Sequence, residues 1–334
     1  MRRVLLILIV LTQVMPCYAE SLSRPHVLSS GDCIGVIAPS SYTEQENFLE
    51  PIELLQAHGY RLKFAPSCMA RYEHFAGPDI QRAKDINDFF RDDDVKAILC
   101  MRGGYGAARI LEYLDYDMIA KHPKAFIGYS DITALHIVLG ERSKLATIHA
   151  PMFLSLINPQ NTSYTHEQFF AGLRSTNPLG EIPMPPDKTL TTIVPGKAEG
   201  VITGGNLTVI ASLVGTPYEL DGKGTLLLLE EVGEKVYRID RMLNQLWQNG
   251  LLSRVNGILL GDFVDCNGGS SDDDSYTLEL VLNNYAKLSG KPVIKGVPAS
   301  HGEDNAFIPF GVHAVMNAQE NEASLIIDEA IFTH

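Results

Sequence analysis

The chain is short of cysteine, tryptophan and positive charge, and each shortage excludes something. Five cysteines and one tryptophan occur in 334 residues. No C-x-x-C pair and no Cys/His cluster is present, so neither a disulfide framework nor a zinc-type centre can be read from the sequence. Cys33 and Cys100 flank apolar runs, where a buried free thiol is the expected state, and no bridge is required. Lys and Arg number 27 against 40 Asp and Glu, a formal charge of -13. Binding nucleic-acid phosphates needs a basic face, so nucleic acid is not an expected partner. There is no H-E-x-x-H and no G-K-[ST], and nothing calls for a metal or a cofactor. No apolar run approaches the about 20 residues that span a bilayer.

What is present begins with a leader. Arg2 and Arg3 precede an apolar run from Val4 to Val10, and the stretch ends in small or helix-breaking residues before Glu20. This reads as a secretory signal peptide over residues 1–19, removed after Ala19, with a periplasmic mature protein and no stable membrane insertion afterwards. Acylation of Cys17 is the alternative; Pro16 before it argues against a lipoprotein.

The remaining length suits two domains, each with a core that needs no staples. CIGVIAPSS (33–41), RLKFAP, VKAILCMRGG (95–104) and AFIGYSD (125–131) read as strands. Helical periodicity lies between them, in TEQENFLEPIELLQAHGY, Asp79 to Arg91, AARILEYL and ITALHIVLGE. Alternation of this kind predicts an α/β fold with a parallel, flavodoxin- or Rossmann-like sheet over residues 20–155, and a ligand crevice outside the strands' carboxyl ends. Residues 156–198 are rich in Pro, Asn, Thr and Gly and read as an inter-domain connection carrying one short helix. A second domain over 199–334 contains TLLLLEE (225–231), a helix over YRIDRMLNQLWQNG and the strand GILLGDF (257–263).

Ser130 falls where a strand turns into a helix, with Gly128 two residues before it, as in a nucleophile elbow. The G-x-S-x-G pattern is incomplete, because Ile132 stands where glycine is required, and a serine capping the helix is the competing reading. RGGYG (102–106) allows backbone amides close to an anion; a Gly104 or Tyr105 amide would join the Asp131 amide as an oxyanion hole, and a plain strand-to-helix turn is the alternative. Of ten histidines, His301 in the loop ASHGEDN is the best-placed base. Glu230 and Glu231 end an apolar strand, and adjacent strand residues face opposite ways, so only one can face the site.

RGGYG, FIGYSDITALH, HAPM, GGNL, LLLEEVGEKVYRIDRML, GILLGDF and PASHGEDNAFIPFG, in that order, resemble the LD-carboxypeptidase family of serine peptidases, which includes muropeptide LD-carboxypeptidases and microcin C self-immunity peptidases. The resemblance spans nearly the whole mature chain. It implies a second, smaller mixed α/β domain with the active site between the two, and a homodimer. It also implies a triad of Ser130, Glu230 and His301, with Gly104 and Asp131 amides as the oxyanion hole and Glu231 as runner-up acid. Ser300 departs from the family's usual glycine before the histidine. The activity implied is removal of the terminal D-Ala from peptidoglycan tetrapeptide stems, so the partner is a muropeptide or stem peptide. A microcin-type peptidase and a silent module that binds cell-wall peptides are the alternatives.

Overall fold

The computed structural model describes residues 22–266, 276–299, 301–320 and 322–334. The expected leader with Cys17, the acidic loop 267–275 and Ser300 lie outside the described residues.

Two sheets carry the fold. In the first half, apolar runs form β1 (Cys33–Ile37), β2 (Arg61–Phe64), β3 (Val95–Cys100), β4 (Ala125–Gly128) and β5 (Thr147–His149). Helices α1 (Leu49–Ala57), α2 (Asp79–Arg91), α3 (Tyr116–Lys121) and α4 (Thr133–Ser143) connect them. These strands are parallel in the order β5-β4-β3-β1-β2. Strand order therefore reverses between β1 and β3, and a crevice opens at the carboxyl ends of such a switch point. The loops leaving β1, β3 and β4 there are APSS, RGGYG and Tyr129–Ser130. Residues 107–114, expected as an α-helix, form a tighter 3₁₀ turn over Ala107–Tyr113. Its first amide is pinned by the Asp131 carboxylate, 2.8 Å away.

The connection contains the expected helix, α5 (Ser163–Leu173), and also two strands that its composition did not announce, β6 (Gly180–Glu181) and β7 (Thr191–Val194). Both are short and lie at opposite edges of the second sheet, where a weak, polar strand is tolerated. That sheet is built on β8 (Gly196–Asn206), β9 (Thr225–Val232), β10 (Gly257–Val264) and β11 (Val293–Lys295), all parallel. Helices α6 (Leu207–Leu213), α7 (Val236–Gln248), α8 (Leu251–Arg254) and α9 (Leu278–Ser289) accompany it. After β12 (Ile308–Phe310), strands β13 (His313–Gln319) and β14 (Glu322–Ile327) extend the sheet antiparallel. β12 itself pairs with β5 in the first sheet. The chain thus stitches the two sheets together just after His301.

A second stitch lies close to Ser130. The Asn206 amide at the end of β8 donates to Thr133 Oγ1 at 2.9 Å. A Cβ on Gly205 would stand 2.4 Å from that oxygen, so only glycine lets β8 approach the first turn of α4. The four described cysteines, Cys33, Cys68, Cys100 and Cys266, are buried free thiols.

His136 fastens α4 to the strands beneath it. Its Nε2 lies 2.8 Å from Gly128 O and its Nδ1 2.9 Å from Thr147 Oγ1. A carbonyl only accepts, so Nε2 carries the proton and Nδ1 accepts from the hydroxyl. Burial pushes the imidazole pKa down to about 4. In the unfolded chain it titrates near its ordinary value of about 6.5. Between these values the unfolded chain binds a proton that the folded one refuses, so stability present above pH 6.5 is lost as pH falls towards 4, by roughly 3 kcal/mol at most. Urea unfolding from pH 7 to 4 should give a falling midpoint, with a shallower fall in His136→Gln; identical slopes would count against this role.

Candidate active site

Ser130 follows β4 after a single extended residue, Tyr129, and has φ 65°. The left-handed region costs a non-glycine residue about 1–2 kcal/mol, so the surroundings must hold it there. A 3₁₀ turn over Ser130–Ile132 then leads into α4. This is an elbow that presents the hydroxyl at the sheet edge. The glycine missing at Ile132 is compensated at Gly128, where a Cβ would stand 2.9 Å from the Ile132 side chain.

The RGGYG loop lies against the elbow. A Cβ on Gly103 would meet Ser130 Cβ and Oγ at 2.9 Å and the Asp131 amide nitrogen at 3.5 Å. Gly103, not Gly104, therefore has its α-carbon turned to the hydroxyl; Gly104, at φ 109°, packs against Ser41. The Tyr105 amide donates to Ser41 Oγ at 3.1 Å and is not free for an oxyanion. Gly103 has an ordinary φ, and its need for glycine is purely steric, so only the doubled glycine of the motif signalled it.

Asp131 holds these loops in place. Its Oδ2 accepts from Ser40 Oγ at 2.6 Å and from the Ala107 amide at 2.8 Å. Burial raises its carboxyl pKa, while the Ser40 and Ala107 donors oppose the rise. Arg82 on α2 is wholly buried. It donates to Pro39 O, to Gly106 O at 3.0 Å and to Gly77 O at 3.1 Å, and it pairs with Asp79. Sequence reading missed Arg82 and Ser40, because an arginine in a polar helix looks solvated.

The facing half supplies an acid and a base. β9 is buried from Thr225 to Glu231, and its two terminal glutamates diverge as the pleat requires. Glu230 Oε2 lies 2.6 Å from His301 Nδ1. Glu231 points the other way and accepts from Asn206 Nδ2, the Thr208 amide, Thr208 Oγ1 and the Val232 amide, all at 2.7–2.9 Å. It has no capacity left for an imidazole, which leaves Glu230 as the partner of His301. Burial pushes the Glu230 pKa up and the neighbouring His301 opposes that rise.

The His301 loop is held from three sides. A Cβ on Gly261 would stand 2.4 Å from Ala299 O and 3.1 Å from Glu230 Cβ, so glycine lets the loop pass beside the acid. Thr165 Oγ1 donates to Glu303 O at 3.0 Å. Asp304 accepts from Thr162 Oγ1 at 2.5 Å and pairs with Lys188 at 2.7 Å. The Tyr129 ring, from the residue before Ser130, lies 4.8 Å from the His301 ring. With Nδ1 on the carboxylate, His301 Nε2 is a buried acceptor with no hydrogen-bond partner among the described residues. No hydrogen bond joins it to Ser130 Oγ among those residues.

A hydroxyl on a strained elbow, whose preceding residue lies against an imidazole that a buried carboxylate holds from the other sheet, is the layout of a serine peptidase split between two sheets. Similarity to known proteins places the chain more closely. Residues 34–150 match the LD-carboxypeptidase N-terminal domain and residues 199–316 the LD-carboxypeptidase C-terminal domain. The chain belongs to the LD-carboxypeptidase family. It is 38% identical to a probable murein peptide carboxypeptidase of Bacillus subtilis, over 90% of this chain and 93% of that protein. A muramoyltetrapeptide carboxypeptidase structure from Oxalobacter formigenes superposes with a TM-score of 0.78 at 29% identity, covering 89% of this chain and 99% of that one. An MccF-like protein structure from Bacillus anthracis gives 0.82 at 28%, covering 93% and 99%.

Gly103→Ala should place a methyl on the hydroxyl without disturbing the core. We expect activity at least about 10²-fold lower, comparable to losing an oxyanion donor, with the melting temperature little changed. Near-normal activity would show that Gly103 does not border the reacting atoms.

Proposed function

We propose that the protein is an exported serine LD-carboxypeptidase that removes the terminal D-Ala from peptidoglycan tetrapeptide stems. The observation that carries this reading is the Glu230–His301 bond of 2.6 Å, which leaves a buried, unpartnered Nε2 next to the Tyr129–Ser130 elbow. Its likeness to murein carboxypeptidases supports the substrate.

In this mechanism His301 Nε2 takes the proton of Ser130 Oγ as the oxygen attacks the carbonyl before the terminal D-residue. Glu230 holds Nδ1–H and stabilises the imidazolium. The Gly104 and Asp131 amides receive the oxyanion; the neighbouring Tyr105 and Ala107 amides are already engaged by Ser41 and Asp131. His301 then returns its proton to the departing amine, and a water activated by the same nitrogen releases the acyl group. The bond between Oγ and Nε2 forms when substrate closes the site. The likeness to MccF-like proteins supports a second reading, a microcin C-type self-immunity serine peptidase, which would cleave an aminoacyl-nucleotide conjugate. Export favours the first, because stem peptides lie outside the cytoplasm, and Arg2, Arg3 and the run Val4 to Val10 support export to the periplasm.

Mass spectrometry of purified tetrapeptide stems should show loss of one alanine with the wild type and none with Ser130→Ala, whose fold is retained. The exported protein's own mass should begin at Glu20. Turnover by Ser130→Ala would overturn the nucleophile, and an acylated Cys17 the soluble periplasmic form.

A further inference from the structure

A carboxypeptidase differs from an endopeptidase in reading a free carboxylate on the departing residue. In a chain of charge -13 that group needs a local cation. The arginines around the first sheet's carboxyl ends are mostly committed. Arg82 and Arg109 pair with Asp79, and Arg71 pairs with Glu44. Arg102 differs from them. It is exposed, makes no ion pair among the described residues, and has one long contact, from Nη1 to Tyr42 O at 3.4 Å.

Its position gives that charge a use. Arg102 immediately precedes Gly103, whose α-carbon faces Ser130 Oγ. Consecutive α-carbons are about 3.8 Å apart, so Arg102 stands one residue spacing from the glycine that borders the nucleophile, and the departing residue's carboxylate likewise lies one residue beyond the carbonyl attacked. Its reach to Tyr42 O carries the guanidinium across the mouth between the β1 and β3 loops, where the crevice opens. A planar fork of N–H donors suits a carboxylate bidentately, and a weak carbonyl contact is readily exchanged for it.

We infer that Arg102 is the specificity residue that receives the C-terminal carboxylate of the substrate's departing D-residue. This rests on the carboxypeptidase reading of the same site. It assigns the exopeptidase character to one side chain of the RGGYG motif, apart from the triad. The motif then has two tasks: Gly103 clears the hydroxyl, and Arg102 measures where the peptide ends.

The test compares a tetrapeptide stem ending in D-Ala as the free acid with the same peptide ending in D-alaninamide. The quantity read is the ratio of kcat/KM for acid over amide, in wild type, Arg102→Ala and Arg102→Lys. Wild type should prefer the acid, and Arg102→Ala should lower the ratio about 10- to 100-fold, the worth of a hydrogen bond to a charged group. Arg102→Lys should recover part of it, since the charge stays and the fork is lost. Arg102 is exposed, so the variants should keep the wild-type melting temperature. An unchanged ratio in Arg102→Ala, with wild type active, overturns the Arg102 assignment alone. A wild type that releases D-Ala from neither peptide overturns the carboxypeptidase reading and this inference with it.

Discussion

The hydrogen bond between Glu230 and His301 joins a wholly buried carboxylate to a side chain that is only 13% exposed, and it closes the end of β9 in the second sheet. Glu230 is wholly buried at the end of a leucine-rich strand, and its other oxygen has no partner among the described residues. A buried carboxylate is tolerated only when it is paired or hydrogen-bonded. His301 provides that pairing, and in doing so its ring is fixed with Nε2 turned away from the acid. Gly261 admits the loop, and Thr162, Thr165 and Lys188 hold it, so the connection between the domains helps to aim the base. Glu231, one residue on, serves the opposite face, tying Asn206 and Thr208 at the start of α6.

The first sheet solves a different problem. Ser130 is held at a φ that its own side chain disfavours, and three loops must stay in register around it. Two buried charged groups do this. Asp131 ties the loop after β1 to the one after β3, and Arg82 ties the same two loops from below. The halves then meet at Thr133 with Gly205 and Asn206, at the pairing of β12 with β5, and where Tyr129 lies against His301. Each of these meetings lies within a few residues of a group with a chemical role.

The parallel sheet was legible because apolar runs alternated with helical periodicity; α2 and β3 fall where the pattern put them. Ser130 was legible as a corner residue, and the pleat separates the two glutamates without fixing which of them faces the histidine. That choice depended on what each face packs against, which strand periodicity does not carry. The strands β6 and β7 were illegible because edge strands need little apolar character. Gly103 escaped because its requirement is a close approach by a distant segment, and Arg82 because its partners are backbone carbonyls remote in sequence. The pairing of β12 with β5 follows from the return of the chain to the first sheet, which no local pattern encodes.

The most direct test of a nucleophile driven across the domain interface is covalent labelling by a fluorophosphonate, with the adduct located by peptide mass spectrometry and its rate followed in wild type, His301→Ala and Glu230→Gln. A single adduct on Ser130 is predicted, formed about 10²–10⁴-fold more slowly without the base and also slowed when Glu230 is neutralised. Labelling at another residue, or at an unchanged rate in His301→Ala, would contradict it.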